Sequence, residues 1–343
     1  MPNPVLTDAI DALASGRDLD TDTAAVVLRE IMAGDATEVE IAAFLIALRA
    51  KGETVDELAG LARTMRELAT PVHVEGGDLL DTAGTGGGRP TFNVSTTAAL
   101  IAAAAGCRVA KHGNRSATGL SGSADVLEAL GARIDLGPEQ VGTCIREVGF
   151  GFMFAPAHHQ ATRFVVPVRK ELAVRTIFNF LGPLTNPAGA TRQLIGVSDA
   201  GYLDVMAGAL ARLGAQKALV VSSRDGLDEM STSASTQVVE VSDAGLQRYE
   251  VAPEDVGLRP SPPDAIAGGT PTRNAGVTRS VFSGAPGAER NLAVLNAGAA
   301  IYAGGGADDI VAGVRAAEQA IDSGAATETL DRFVARTNEL ASG

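Results

Sequence analysis

The sequence is poor in lysine, in cysteine and in positive charge overall. Its 343 residues hold four lysines against 24 arginines, two cysteines, and a formal net charge of −13. An acidic chain is a poor general partner for nucleic acid or an anionic membrane surface, because both require a basic field. A small anionic ligand would need local positive groups to hold it. Cys107 and Cys144 make no disulfide framework, and no CxxC or Cys/His spacing of a metal site occurs. The chain lacks a basic start with a signal-type apolar run. Its longest apolar stretch, around AALIAAAAG, is too short to span a bilayer. These absences predict a soluble, cytoplasmic protein with no nucleic-acid or membrane partner. What is present is a hydrophobic fraction of 45%, over a length that allows a large core and more than one lobe.

Residues 4–70 read as helical. Thr37 with Glu40, and Thr54 with Glu57, have the spacing of capping boxes, and each opens an apolar-periodic run. Gly16, Gly34 and Gly52 sit where such runs stop. Pro71 and the segment VHVEGGD then break the pattern. Beyond it, short apolar runs alternate with helical ones: LLD, then NVSTTAALIAAAAG, CRVAKHG, SADVLEALG and, at 217–223, KALVVSS. That alternation predicts an α/β domain with a mostly parallel sheet. The division expected is a helical domain over 1–70, a linker over 71–78 and an α/β domain over 79–343. A segment near 165–190 is a candidate to pack with the helices. Residues 252–290 read as loop-rich, and the tail from 292 as helix.

The stretch 81-DTAGTGGGRPTFNVST-96 carries the strongest chemical signal. A strand, a glycine turn and a helix start form a phosphate-site geometry, because bare backbone lets N–H groups approach an anion. Asn93, Ser95 and Thr96 fall at the helix start, where capping, phosphate contact and metal ligation all remain open. The dinucleotide pattern GxGxxG fails at Arg89, and no Gly-Lys-Ser/Thr follows for a Walker loop.

Three further stretches join it. In 111-KHGNRSATGLSGSADVLEALG-131, Lys111 ends an apolar strand, which suits a phosphate ligand. Gly113, Gly119 and Gly122 offer backbone for close approach, and Asn114 and Ser123 offer short polar contacts. Asp125 and Glu128 fit helix capping better than catalysis. In 154-FAPAHHQATRFVVPVRKELAVRTIFNFLGPLTNP-187, adjacent His158 and His159, read on a strand, face opposite ways and make a poor metal pair. Arg169 there reads as structural from spacing alone, with a bidentate carboxylate or phosphate clamp as the alternative. GPLTNP reads as a turn. Finally, in 225-DGLDEM-230 the adjacent acids Asp228 and Glu229 suit Mg²⁺, a hard cation that takes one or two carboxylates plus phosphate oxygens.

The four stretches, in this order and spacing, resemble the anthranilate phosphoribosyltransferase family over nearly the whole chain. The resemblance implies transfer of a phosphoribosyl group from phosphoribosyl pyrophosphate to the amine of anthranilate, with Mg²⁺ as cofactor and a homodimer as the assembly. It assigns phosphoribosyl pyrophosphate to the glycine turn at Gly84, Gly87 and Gly88, to Thr91, and to the run Asn93, Val94, Ser95 and Thr96. The same ligand would be met by Lys111, His112, Gly113, Asn114 and Arg115, by Ser116, Ala117, Thr118 and Gly119, and by Ser123. Mg²⁺ falls to Ser95, Asp228 and Glu229. Gly84, Asn114 and Arg169 are the implied anthranilate contacts. No residue is identified as a general base.

Two departures touch the diphosphate end. Where the family usually reads GTGGD, this chain has Gly88, in a turn about one residue shorter. Leu120 stands where many members carry lysine. A pyrimidine nucleoside phosphorylase of the same fold would carry a KHSGR-like pattern, but Gly113 and Asn114 follow the histidine here. A non-catalytic, nucleic-acid-binding relative would carry a basic stripe, which the charge of −13 opposes.

Overall fold

A computed structural model describes residues 2–116 and 119–342. The chain opens with four helices: α1 (Pro4–Ala14), α2 (Thr21–Ala33), α3 (Glu38–Lys51) and α4 (Val55–Leu68). Both expected capping boxes form, with Thr37 and Thr54 accepting from the backbone of Glu40 and Glu57 while those glutamates reach back. Gly34 ends α2 in the left-handed conformation, which glycine adopts without a Cβ penalty.

Among the described residues a seven-stranded sheet follows. Its strands are β1 (Leu80–Gly84), β2 (Val109–Gly113), β3 (Phe150–Phe154), β4 (Arg192–Gly196), β5 (Lys217–Ser223), β6 (Thr236–Ser242) and β7 (Gly245–Val251). The order is β3-β2-β1-β4-β5-β6-β7. The first five are parallel, and β6 and β7 add an antiparallel hairpin at the edge. The chain winds from β1 outward to β3, then returns to the other side of β1 as β4. That reversal places a crevice at the carboxyl ends of β1 and β4, where open α/β sheets bind ligands.

Helices α5 (Val94–Ala104), α6 (Ser123–Leu130), α7 (Pro138–Val148), α8 (Ala155–His158), α9 (Val166–Leu172), α10 (Phe178–Leu184) and α11 (Leu203–Arg212) connect the strands. After the hairpin come α12 (Pro271–Phe282), α13 (Ala288–Ala303), α14 (Ile310–Asp322) and α15 (Ala325–Ser342). The buried side chains form two clusters. One joins α5, α6, α7 and the C-terminal helices to one face of the sheet. The other runs from the N-terminal helices through Val165, Val168, Phe180 and Leu181 to α11 and the opposite face at Ile195, Val220 and Val239. Within this second cluster the N-terminal bundle gives way to sheet without a break in apolar packing.

Three local expectations are corrected. His158 and His159 do not lie on a strand: His158 closes α8, which Pro156 opens in its first turn. GPLTNP is not all turn, because α10 runs through Gly182 and Pro183 and stops at Leu184. A proline that close to the end costs only the bond to the Asn179 carbonyl, so the helix tolerates it. Within 252–290, Thr270 caps α12 by accepting from the Arg273 N–H, and Pro271 starts it. Composition hid that helix, since a proline at the first position reads like a loop.

Candidate active site

The glycine turn leaves the end of β1 at the crevice. Gly86 and Gly87 have φ of 67° and 86°, the left-handed region that favours glycine. Gly84, paired with Gly196 across β1 and β4, and Gly88 are constrained by space instead. A Cβ on Gly84 would stand 3.1 Å from Asp228 Oδ2. One on Gly88 would collide with Asp228 Oδ1 and lie 2.9 Å from its backbone nitrogen. One on Gly196 would collide with the Asp228 carbonyl. Three glycines from two segments thus clear the space into which the loop after β5 brings its acid pair.

Asp228 and Glu229 keep part of their surface open while protein encloses the rest. Burial raises the pKa of Asp228, against the opposing pull of the Gly86 N–H and Arg175. Glu229 is pushed up to about 8, by burial first and by the charge of Asp228 second, with Lys111 and the Ser95 N–H opposing. Two acids held this way favour a cation between them and a ligand. Ser95, whose backbone N–H reaches Glu229, offers a further hard oxygen in its hydroxyl, and donors of this kind suit Mg²⁺. Among the described residues no cluster of three or more His, Cys, Asp or Glu side chains forms a metal site. A protein-only cage is therefore not the design, and substrate oxygens would fill the remaining positions.

Lys111 is buried on β2, with Nζ 2.5 Å from the Thr82 carbonyl, 3.2 Å from Thr82 Oγ1 and 3.4 Å from Ser95 Oγ. Burial lowers its pKa, and Asp81 and Glu229 oppose that shift. Asp81 sits beneath, accepting from the His112 N–H at 3.1 Å and Asn186 Nδ2 at 2.7 Å. Its pKa is raised by burial. Lys111 is thus directed at the root of the turn by a buried polar network. Sequence reasoning found Lys111 but not Asp81 or Asn186. The only signal for Asn186 was its place in LTNP.

Thr96 Oγ1 is buried at the start of α5 with no partner among the described residues. Asn93 does not cap α5; its amide donates to the Ser121 carbonyl and accepts from Ser121 Oγ and Asn274 Nδ2. Val94 is buried beside it. Thr91 forms an isolated bridge with Ala267. Along the loop after β2, Asp125 accepts from the Ser116 and Gly122 N–H groups, which makes it a capping residue. Arg115 is tied to Asp125 and Glu128. Asn114 accepts from the Arg115 N–H at 2.7 Å, Ser116 Oγ accepts from the Gly119 N–H, and Ser123 Oγ donates to the Asn114 carbonyl. Gly113 has no room for a Cβ, which would collide with Ser123 Oγ. Ala117 and Thr118 lie outside the described residues.

Arg169 belongs to α9. Its Nη2 lies 3.5 Å from Asn179 Oδ1, and its guanidinium is 5.4 Å from the centre of the Phe178 ring. No carboxylate pairs with it among the described residues. The segment it belongs to continues into α10, whose Gly182 carbonyl meets His112 Nδ1 at 3.2 Å. His112 and His159 pack with ring centres 5.1 Å apart, and burial lowers their pKa values to about 3 and about 4. Both rings are neutral at pH 7. Cys107 and Cys144 are free and buried, and burial pushes their thiols up to about 11.

A glycine turn over an acid pair, at the switch point of a parallel sheet, defines the class: an α/β protein built to hold a metal-chelated phosphate ligand. The models of the glycosyl transferase family match this chain in both parts, the helical bundle domain over residues 7–69 and the a/b domain over 76–327. The anthranilate phosphoribosyltransferase of Rubrobacter xylanophilus is 53% identical over 339 residues, covering 98% of this chain and 99% of its own. The crystal structure of anthranilate phosphoribosyltransferase from Thermus thermophilus superposes with a TM-score of 0.92 at 46% identity, covering 96% of this chain and 99% of that one. The Saccharomyces cerevisiae enzyme, in complex with PRPP and Mg, gives 0.89 at 26% identity, covering 97% and 98%. This chain belongs to the glycosyl transferase family and, within it, to the anthranilate phosphoribosyltransferases.

Proposed function

We infer that this protein transfers the phosphoribosyl group of phosphoribosyl pyrophosphate to the amine of anthranilate, releasing pyrophosphate, a step of tryptophan biosynthesis. The observation that carries the reading is the convergence of Gly84, Gly88 and Gly196 on Asp228 at the switch-point crevice.

The roles follow from the chemistry of each group. The backbone of Gly84, Gly87 and Gly88, with Ser95, Thr96 and Lys111, receives the diphosphate. Asn93, Thr91 and the loop from His112 to Gly119, with Ser123, line the ribose and phosphate side. Asp228, Glu229 and Ser95 would hold Mg²⁺, which supplies charge to stabilise the departing pyrophosphate. Arg169 faces the carboxylate of anthranilate with a planar fork of donors, together with Asn114 and the Gly84 backbone. The amine is already a neutral nucleophile, so positioning and electrostatics carry the rate and no covalent enzyme intermediate forms. Neutral His112 and His159 add no charge against the cationic ribose that develops.

The helical bundle 1–70, joined by 71–78 to the α/β part, closes over the crevice and excludes water from the activated sugar. A homodimer is the assembly that the family resemblance implies. No helix among the described residues is long and apolar enough to cross a membrane. A biosynthetic step on small charged metabolites fits a cytoplasmic enzyme. The test is loss of anthranilate fluorescence on mixing. It should require both phosphoribosyl pyrophosphate and Mg²⁺; unchanged fluorescence with both present rejects the reading.

A further inference from the structure

The net charge of −13 means that a diphosphate must find its positive groups locally. Most cations around the crevice are engaged. Arg89, within the turn, pairs with Asp225 at 3.1 Å. Arg115 is held by Asp125 and Glu128. Lys111 is buried below the turn against the Thr82 carbonyl.

Arg175 is different. Its guanidinium lies directly on the turn, so that a Cβ on Gly87 would collide with Nη1 and stand 3.1 Å from Cζ. Nη1 donates to Ser198 Oγ at 2.9 Å, and Ser198 Oγ donates to the Gly86 carbonyl at 3.1 Å. Nη2 is buried and has no partner among the described residues. The Arg175 hydrogen bond is to a neutral hydroxyl, its Nη2 is buried without a partner, and the nearby Asp228 carboxylate acts on it through space without a hydrogen bond among the described residues, so donors remain for an arriving anion.

The surroundings hold it there. Arg49 of α3 donates to the Arg175 carbonyl at 2.8 Å. The Phe180 ring centre lies 5.8 Å from its Cζ. Two residues earlier, Ala173 has φ of 51°, a left-handed conformation that strains a non-glycine residue and persists only where the surroundings over-determine it. A cavity of about 140 Å³ opens beside the guanidinium, with Arg49, Glu53 and Asp199 among its walls.

We propose that Arg175 is a ligand of the diphosphate: its guanidinium rests on Ser198 against the glycine turn and donates to pyrophosphate oxygens once the ligand lies there. The inference rests on the phosphoribosyl-transfer reading and adds a cationic contact outside the four stretches' assigned ligands.

The test is calorimetric titration of the full-length protein with inorganic pyrophosphate and Mg²⁺. Arg175→Gln keeps a donor for Ser198 and removes the charge. Loss of a charge-assisted contact should weaken pyrophosphate about 10- to 100-fold and flatten the salt dependence of binding. The thermal midpoint and the Michaelis constant for anthranilate should stay close to wild type. Pyrophosphate binding within twofold of wild type would overturn the proposal. If Arg175→Gln unfolds early, Arg175→Lys decides: it should bind pyrophosphate more tightly than the glutamine variant, and equal weakening of both would make Arg175 a brace. Wild-type protein that binds pyrophosphate without consuming anthranilate would sink the transfer reading and leave Arg175 standing.

Discussion

The two sides of the crevice are built by opposite means. On the side proposed for the diphosphate, position is fixed by contact: the acid loop rests on Gly196, Gly84 and Gly88, with no space for even a methyl group at two of them. On the side proposed for anthranilate, Arg169 is held by one long 3.5 Å hydrogen bond and the face of Phe178. The first side resists rearrangement because close-packed backbone has nowhere to go. The second keeps a charged fork free, its pKa lowered by burial alone. A metal-diphosphate site needs its charges in register before the ligand arrives, whereas an aromatic carboxylate needs only a fork of donors left without a carboxylate partner.

Changes on the packed side should therefore cost most. Replacing the acid pair, Asp228→Asn with Glu229→Gln, should lower Mg²⁺-dependent turnover by about 100-fold or more with circular dichroism unchanged. Near-wild-type rates at limiting Mg²⁺ would break the comparison. Gly196→Ala comes next: its Cβ collides with backbone, so the acid loop must shift, at about 1–3 kcal/mol of stability. Denaturant midpoints and turnover should fall together.

Gly88→Ala is the milder steric test, because the nearest atom is a carboxylate tip that can rotate, although the Asp228 nitrogen at 2.9 Å cannot. A loss of about 1 kcal/mol is expected, and Gly88→Arg or any larger residue should cost more. Gly88 does not have a left-handed φ, so its glycine answers to space and not to backbone freedom. Gly88→Asp would crowd a third carboxylate onto the pair. Its Mg²⁺ titration should then be steeper than that of the wild type, and superimposable curves would discard the electrostatic explanation.

The smallest effect is in pH. Glu229 has a folded pKa of about 8, above its ordinary value of 4.5. Between those values the folded state holds a proton that the unfolded state has lost, so metal-free stability falls as pH rises across that window. Glu229→Gln should flatten that slope in thermal melts taken from about pH 5 to about pH 8. Mg²⁺ must displace the same proton, so its affinity should increase with pH over the range.

Much of this was legible in the chain. Thr37, Thr54 and the stop glycines marked the first helices because capping is local chemistry. The glycine turn, Lys111 and the acid pair were visible because bare backbone, a rare lysine and adjacent acids are unusual in any context. What escaped is non-local. Gly196 ends an ordinary strand, LIG, and only the fold brings it under Asp228. Asp81 and Asn186 are 105 residues apart and meet through one hydrogen bond. Arg175 lies inside the stretch 154–187, but nothing in its spacing marked it as resting on the glycine turn. The antiparallel pair β6 and β7 gave no clear alternation to read, since β7 is largely exposed.

The central claim is that each side serves one substrate, and the most direct test is a crossed pair of Michaelis constants. Arg169→Ala and Asp228→Asn would each be assayed for anthranilate and for phosphoribosyl pyrophosphate by anthranilate fluorescence. Arg169→Ala should raise the anthranilate constant about 10- to 100-fold and leave the other nearly unchanged. Asp228→Asn should do the reverse at limiting Mg²⁺. If Arg169→Ala moves only the constant for phosphoribosyl pyrophosphate, the division of the crevice proposed for this protein is wrong.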